Sequence, residues 1–289
     1  MEEIVNLDTL LVLIDDRDEE VYFAVRDRLL QAGPDILPVL EHALSSSTSL
    51  LQHERLDIII NQLKLTKLID RTAQWVNSED KTLLDGWILA SSIHHPAIAP
   101  EKIDLLISKI VRDIWLEIND SLTSLEKVSI INHIFYDLYQ FELNTPDIYA
   151  PENCLITNLL VSRKGNIISL SMLYCIIAQK LNLPIHFIEI GQYMFLGYYE
   201  PRISKEVYGE NADPYLFYIN MDHKGAIIGA KELEYLAHEK KENFEKITPL
   251  SEGTVIKKLL LFLRQCYQSA EDDERVVLTN KLLDKLHKY

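Results

Sequence analysis

Few side chains in this sequence could act as a nucleophile or a proton shuttle, and they are scattered. There are three cysteines, Cys154, Cys175 and Cys266, and nine histidines. A thiol nucleophile needs an imidazole that takes its proton near neutral pH and a third group that fixes the imidazole tautomer. Cys154 precedes an apolar helical run and can be paired with His186, in a β-branched run, or with His223, in a turn. Such a set would make an atypical cysteine peptidase or acyl-transfer enzyme, with Asn153, Gln192 or Asn220 polarising the carbonyl. Cys175 falls within the apolar helix, where a free cysteine behaves as a small buried hydrophobe. Metal ligation has little to build on: His94-His95 stands beside Pro96 with no H-x-x-x-H partner, and no C-x-x-C occurs. No metal or cofactor is expected. Arg163-Lys164-Gly165 lacks the full glycine, lysine and hydroxyl pattern of a phosphate cradle. Glu206, Glu210 and Asp213 lie in a polar stretch rather than at a spacing that would pair carboxylates.

The elements that must position these groups change character along the chain. Residues 4–143 read as successive short helices with a 3.6-residue apolar period: Leu10, Ile14, Val21, Val25 and Leu29, then Leu37, Leu40 and Leu44. Two further stripes are Leu56–Leu63 and Leu68–Val76, and another is Ile103 to Ile118. Gly33-Pro34 breaks the second run, and Thr123 with Glu126 forms a capping box for a helix over 125–138. Residues 24–43, with a paired helix beyond the Gly-Pro turn, faintly resemble a HEAT-type repeat. After Pro146 the pattern shifts. Residues 169–181 read as an apolar helix, 185–190 as a buried strand, and 193–199, 215–219 and 226–228 as further strands. Between them, 201–214 reads as a loop or short insertion and 231–237 as a short helix. Residues 254–267 and 276–286 form a terminal helical hairpin. The fold class is α+β, divided as a helical region 1–145, a mixed core 146–248 and a helical tail 249–289.

The middle of the chain carries a resemblance. The lead-in PENCLITNLLVSRKGNIISL, residues 151–170, keeps Asn153, Arg163, Gly165, Ser169 and Leu170 of a V-L-x-x-R-x-G-x-P-I-S-L turn. A P-G-H-F strand corresponds to Ile190-Gly191-Gln192-Tyr193, and an I-D-P-F strand to Ile219-Asn220-Met221-Asp222. These residues resemble the SirB1-like proteins, whose core is related to the transglutaminase and papain-like superfamily. That superfamily places a nucleophilic cysteine at the start of a central helix, with histidine and aspartate on neighbouring strands. The resemblance implies that these positions hold Ser169, Gln192 and Asn220 here. Glutamine and asparagine do not titrate as imidazole does, so the resemblance implies a non-catalytic member with a vestigial cleft. That cleft is expected around Asn153, Arg163, Gly165, Ser169, Gly191, Gln192, Tyr193 and Asn220, with Met194, Phe195, Tyr198 and Tyr199 along its aromatic strand. The last 35 residues resemble one tetratricopeptide unit.

Charge narrows the partners. Acidic residues outnumber basic ones 44 to 29, a formal net charge of -15. Such a chain is not generally attracted to nucleic acid or anionic lipid. Ten acidic residues against three arginines lie within residues 1–35. No signal peptide, bilayer span or disulfide pattern is legible, which points to a cytoplasmic protein with reduced thiols. The expected partner is a protein or peptide, and the oligomeric state is not encoded.

Overall fold

The computed structural model describes residues 7–95, 98–190, 193–210, 212–239, 247 and 249–289. The chain divides into two compact units, Met1–Asn77 and Ser78–Tyr289. In the first unit the helices are α1 (Leu7–Leu13), α2 (Glu19–Ala32), α3 (Leu37–Ser46) and α4 (Leu50–Asn77). Ile14, Leu29, Leu40, Leu56 and Ile59 are fully buried between them. Arg55 is buried with them, and its Nη1 donates to the Ile14 carbonyl at 2.8 Å while its guanidinium lies over the Tyr22 ring. The two stripes read separately over 56–63 and 68–76 belong to the single 28-residue α4. No glycine, proline or cap separates them, so one helix carries both faces.

The second unit begins with α5 (Leu83–Ser91), α6 (Pro100–Trp115) and α7 (Ser124–Asn132). Thr123 and Glu126 form the expected capping box on α7. The helix expected over 125–138 changes to π-helical geometry at His133–Leu138. A two-residue strand β1 (Glu142–Leu143) then pairs in parallel with β2 (Lys164–Gly165), on either side of a 3-10 turn at Pro151–Cys154 and α8 (Ile156–Ser162). The central helix α9 (Ile167–Lys180) is buried over almost its whole length, from Ser169 to Ala178. Its own residues explain this: the run IISLSMLYCIIA has no charged face to turn to water.

α9 leads into the four-stranded antiparallel sheet β3 (Ile185–Ile190), β4 (Tyr193–Tyr199), β5 (Tyr215–Asn220) and β6 (Ala226–Ile228), in that spatial order. Period-2 alternation buries both faces. Ile188, Ile190, Phe195, Tyr215, Tyr218 and Ile228 form a core with Leu233 of α11 (Ala230–Glu239) and with Ile247. The alternate set, Ile185, Phe187, Leu196, Tyr198, Phe217 and Ile219, is buried on the other side. Gly197 is required here, since a Cβ would stand 2.5 Å from the Tyr215 ring.

Residues 201–214, read as a loop, contain a helix instead, α10 (Pro201–Tyr208). Pro201 occupies its first turn, and the Ser204 hydroxyl donates to the Asp213 and Tyr215 carbonyls, tying the helix to β5. The tail is the expected hairpin, α12 (Glu252–Ser269) and α13 (Asp273–Lys285). α12 packs on α5 and on the turn Pro151–Cys154, with Leu259, Leu260, Leu263, Cys266 and Tyr267 buried.

Candidate functional site

Where α9 begins, the ends of β3 and β4 and one side of α12 enclose a cleft of about 940 Å³. Its apolar lining includes Leu143, Ile148, Ile167, Ile168, Ile190, Met194, Phe195, Leu261 and Phe262. Five carboxamides, Asn144, Asn166, Asn220, Gln265 and Gln268, reach the same space. The ionisable lining includes Glu189, Asp222, His223, Lys258 and Arg264. Lys258 pairs with Glu189, joining α12 to the end of β3.

Asn166 organises the helix end of the cleft. It is the N-cap of α9, with its Oδ1 accepting from the Ser169 backbone N–H at 2.8 Å, while the Ser169 hydroxyl accepts from the Asn166 N–H at 3.0 Å. This reciprocal box satisfies donors that a helix start leaves orphaned. The Asn166 Nδ2 donates to the Cys154 sulfur at 3.1 Å. Ser169 is therefore fully buried and used as a cap, and the cleft meets Ile167 and Ile168 at the first turn of the helix.

The remaining sequence-derived residues separate into those that line the cleft and those that support it. Gly165, Tyr193 and Asn220 line it, as do Met194 and Phe195. Asn153 is buried behind the wall, accepting from Asn144 Nδ2 at 2.9 Å and donating to the Asp147 carbonyl at 2.6 Å. Arg163 is a left-handed helix cap after α8, with its guanidinium over the rings of Tyr139 and Phe141. Burial of that guanidinium draws its pKa down. Gly191 and Gln192 lie outside the described residues.

The thiol and the imidazoles expected to form a pair each have neighbours of their own. Cys154 is 1% exposed and does not face open space. Burial pushes its thiol well up, and its neighbours are Cys266 and Asn166. His186 packs its ring against Tyr199 at 5.2 Å and Tyr215 at 6.2 Å, with its Nδ1 buried and unpartnered. His223 lines the cleft, where its Nδ1 lies 3.2 Å from Asn220 Nδ2. Among the described residues, neither imidazole hydrogen-bonds Cys154, and no group of three or more His, Cys, Asp and Glu side chains is arranged to hold a metal. The cleft wall thus combines apolar side chains with neutral carboxamides and few charges.

No motif in the sequence marks α12 as a wall of the cleft. Leu261 and Phe262 fall off the Leu259, Leu260, Leu263 and Tyr267 stripe, so α12 carries more apolar surface than one buried face needs. That surplus is a readable signal.

Comparison with known proteins finds relatives of part of the chain. A segment of human F-box only protein 21 is 31% identical over 107 residues, which is 37% of this chain and 16% of that protein. The mouse F-box only protein 21 gives the same coverage and identity. A UPF0162 protein from Pasteurella multocida is 28% identical over 116 residues, 38% of this chain and 43% of that protein. The chain thus spans less than half the length of either kind of relative. No solved structure matches it. Among the described residues no helix is long and apolar enough to cross a membrane. The profile of the transglutaminase-like superfamily matches residues 101–261, more than half of the sequence and the whole of the cleft's central helix and sheet, and the chain belongs to that superfamily.

Proposed function

We propose that this is a non-catalytic, SirB1-like member of the superfamily whose cleft binds an extended peptide segment of another protein. The observation that carries the reading is the chemistry of the cleft wall at the start of α9. There the fold presents Asn166, Ile167 and Ile168, none of which is a thiol or hydroxyl nucleophile, beside four further carboxamides. Asn144, Asn166 and Asn220 also bond within the fold, whereas Gln265 and Gln268 of α12 offer donors and an acceptor that match the alternating N–H and C=O groups of a peptide backbone. The apolar floor of Met194, Phe195, Leu261 and Phe262 supplies pockets for its side chains. Retention of Asn153, Arg163, Gly165, Ser169 and Leu170, together with the similarity to the UPF0162 protein, supports the narrower kinship. The tail hairpin, resembling one tetratricopeptide unit, contributes its first helix, α12, as a wall of this cleft. The match to a small share of F-box only protein 21 supports a module that also works inside longer chains.

Selection of peptides from a displayed random library tests the reading. Enriched peptides should bind the wild-type protein and lose about tenfold or more in affinity to Leu261→Glu or Met194→Arg, which place a charge on the apolar floor. A fluorogenic peptide and an amine acceptor incubated with the protein should show no hydrolysis and no acyl transfer. Turnover abolished by Cys154→Ser would sink the proposal in favour of a thiol enzyme.

A further inference from the structure

A second surface lies on α6, none of whose residues lines the cleft. This helix buries Ile103, Ile107, Ile110 and Ile114. At the angular spacing of an α-helix, Lys102, Leu105, Lys109, Arg112 and Leu116 fall on the opposite side as one strip, in which two leucines interrupt three cations. Leu105 is 71% exposed and Leu116 69%, and Trp115 at the edge of the strip is 65% exposed. The outward side of an ordinary amphipathic helix is polar, so a second apolar line there calls for an occupant.

Local charge says what that occupant carries. Two acids of the helix are already engaged: Asp104 accepts from Lys180 Nζ at 2.8 Å, and Asp113 accepts from the Tyr139 hydroxyl at 2.6 Å. Glu101 sits in the first turn, where it complements the helix dipole. Lys102 and Lys109 form no ion pair among the described residues, and Arg112 reaches Asp113 only at 3.6 Å. The strip is therefore locally basic on a chain of net charge -15. A broad anionic lipid surface would also face the acids around the strip, whereas a single helix with its own acids set beside leucines meets only the strip, within the short range that salt leaves unscreened. We propose that the outer face of α6 docks an acidic amphipathic helix of a partner protein, leucine against leucine and carboxylate against Lys102, Lys109 and Arg112.

Trp115 supplies the readout, because Trp75 and Trp87 are buried. Three synthetic helices sharing one leucine face, and flanked by glutamate, glutamine or lysine, are titrated against the full chain. The glutamate helix should shift Trp115 emission to the blue and bind at least about tenfold more tightly than the lysine helix. Its affinity should fall as salt rises from about 50 mM to about 500 mM, and should drop about tenfold in Lys109→Glu/Arg112→Glu. Circular dichroism checks that this surface variant remains folded, and the salt dependence decides the matter if it does not. Equal affinity for the three helices, or binding by none, overturns the proposal. So does a Trp115 shift with phosphatidylserine vesicles but not peptide, or a concentration-dependent dimer that Leu105→Glu/Leu116→Glu abolishes.

Discussion

Ser169 and Gly165 touch each other in the turn before the central helix. A Cβ on Gly165 would stand 2.5 Å from the Ser169 hydroxyl and 2.9 Å from Leu159 Cδ1. The hydroxyl is fixed by the capping box and cannot retreat, so Gly165→Ala is expected to cost about 1–3 kcal/mol of stability by overpacking, read from urea unfolding. Ser169→Ala removes one arm of the cap and should cost about 1 kcal/mol while leaving peptide affinity nearly unchanged. A catalytic serine would behave differently, since its loss would leave stability alone and abolish activity. His186 supports a pH prediction. Burial lowers its pKa from 6.5, opposed by Glu252. The unfolded chain therefore binds a proton that the folded chain resists, so stability should fall as pH drops through about 6.5 and level off once the folded-state pKa is passed. Replacing the imidazole with His186→Phe should flatten that part of a stability-against-pH curve measured by chemical denaturation.

Asn132, at the last residue of α7, shows how elements rather than single contacts hold the sheet to the helices. Its Nδ2 donates to the Gly225 carbonyl at 2.8 Å, and its Oδ1 accepts from the buried Tyr174 hydroxyl of α9 at 2.9 Å. The π-helical turn begins at the next residue, so one side chain ties α7, α9 and the β5–β6 turn together. Asn132→Leu should leave the Tyr174 hydroxyl unsatisfied and lower stability by about 2 kcal/mol, measured by thermal unfolding, with Tyr174→Phe restoring part of it in the double variant. None of this was legible from periodicity, because the change of helical geometry at His133 comes without a proline or glycine to announce it. What was legible followed strong local patterns: the uncharged run of α9, the alternating strands β3 to β5 and the capping box of α7. α10 is not legible in the sequence because Pro201 and the polar residues after it suit both a loop and a helix start, and only the tertiary bonds of Ser204 decide. The cleft was half legible for a similar reason. Gly165, Tyr193 and Asn220 lie close in sequence to its motifs, whereas Gln265 and Gln268 reach it from α12 only through folding. Arg163 misleads in the opposite sense, for its motif position suggests a ligand contact and its guanidinium is spent on two aromatic rings.

At the scale of the whole molecule, the lining of the cleft runs from Leu143 to Gln268, inside the unit Ser78–Tyr289. The first unit has its own core, built on Ile14, Leu29, Leu40, Leu56 and Ile59, and the acidity of residues 1–35 belongs to it rather than to the cleft. The tail stands differently. α12 buries Leu259, Leu260, Leu263 and Tyr267, and its outer side supplies Lys258, Leu261, Phe262, Gln265 and Gln268 to the cleft. Two truncations therefore should part company. A chain beginning at Ser78 keeps every described lining residue and the core beneath it, and should fold cooperatively and hold a selected peptide within about threefold of the full-length affinity, because a domain with its own core folds alone. A chain ending at Leu250 exposes the buried partners of α12 on α5 and on the turn Pro151–Cys154, an apolar area worth several side chains at about 1.5–3 kcal/mol each. Since a whole domain is stable by only about 5–15 kcal/mol, that loss should abolish the near-ultraviolet circular dichroism and the cooperative melt, and peptide binding with them. Peptide binding retained by the chain ending at Leu250 would place the recognition surface on the sheet alone and remove α12 from it.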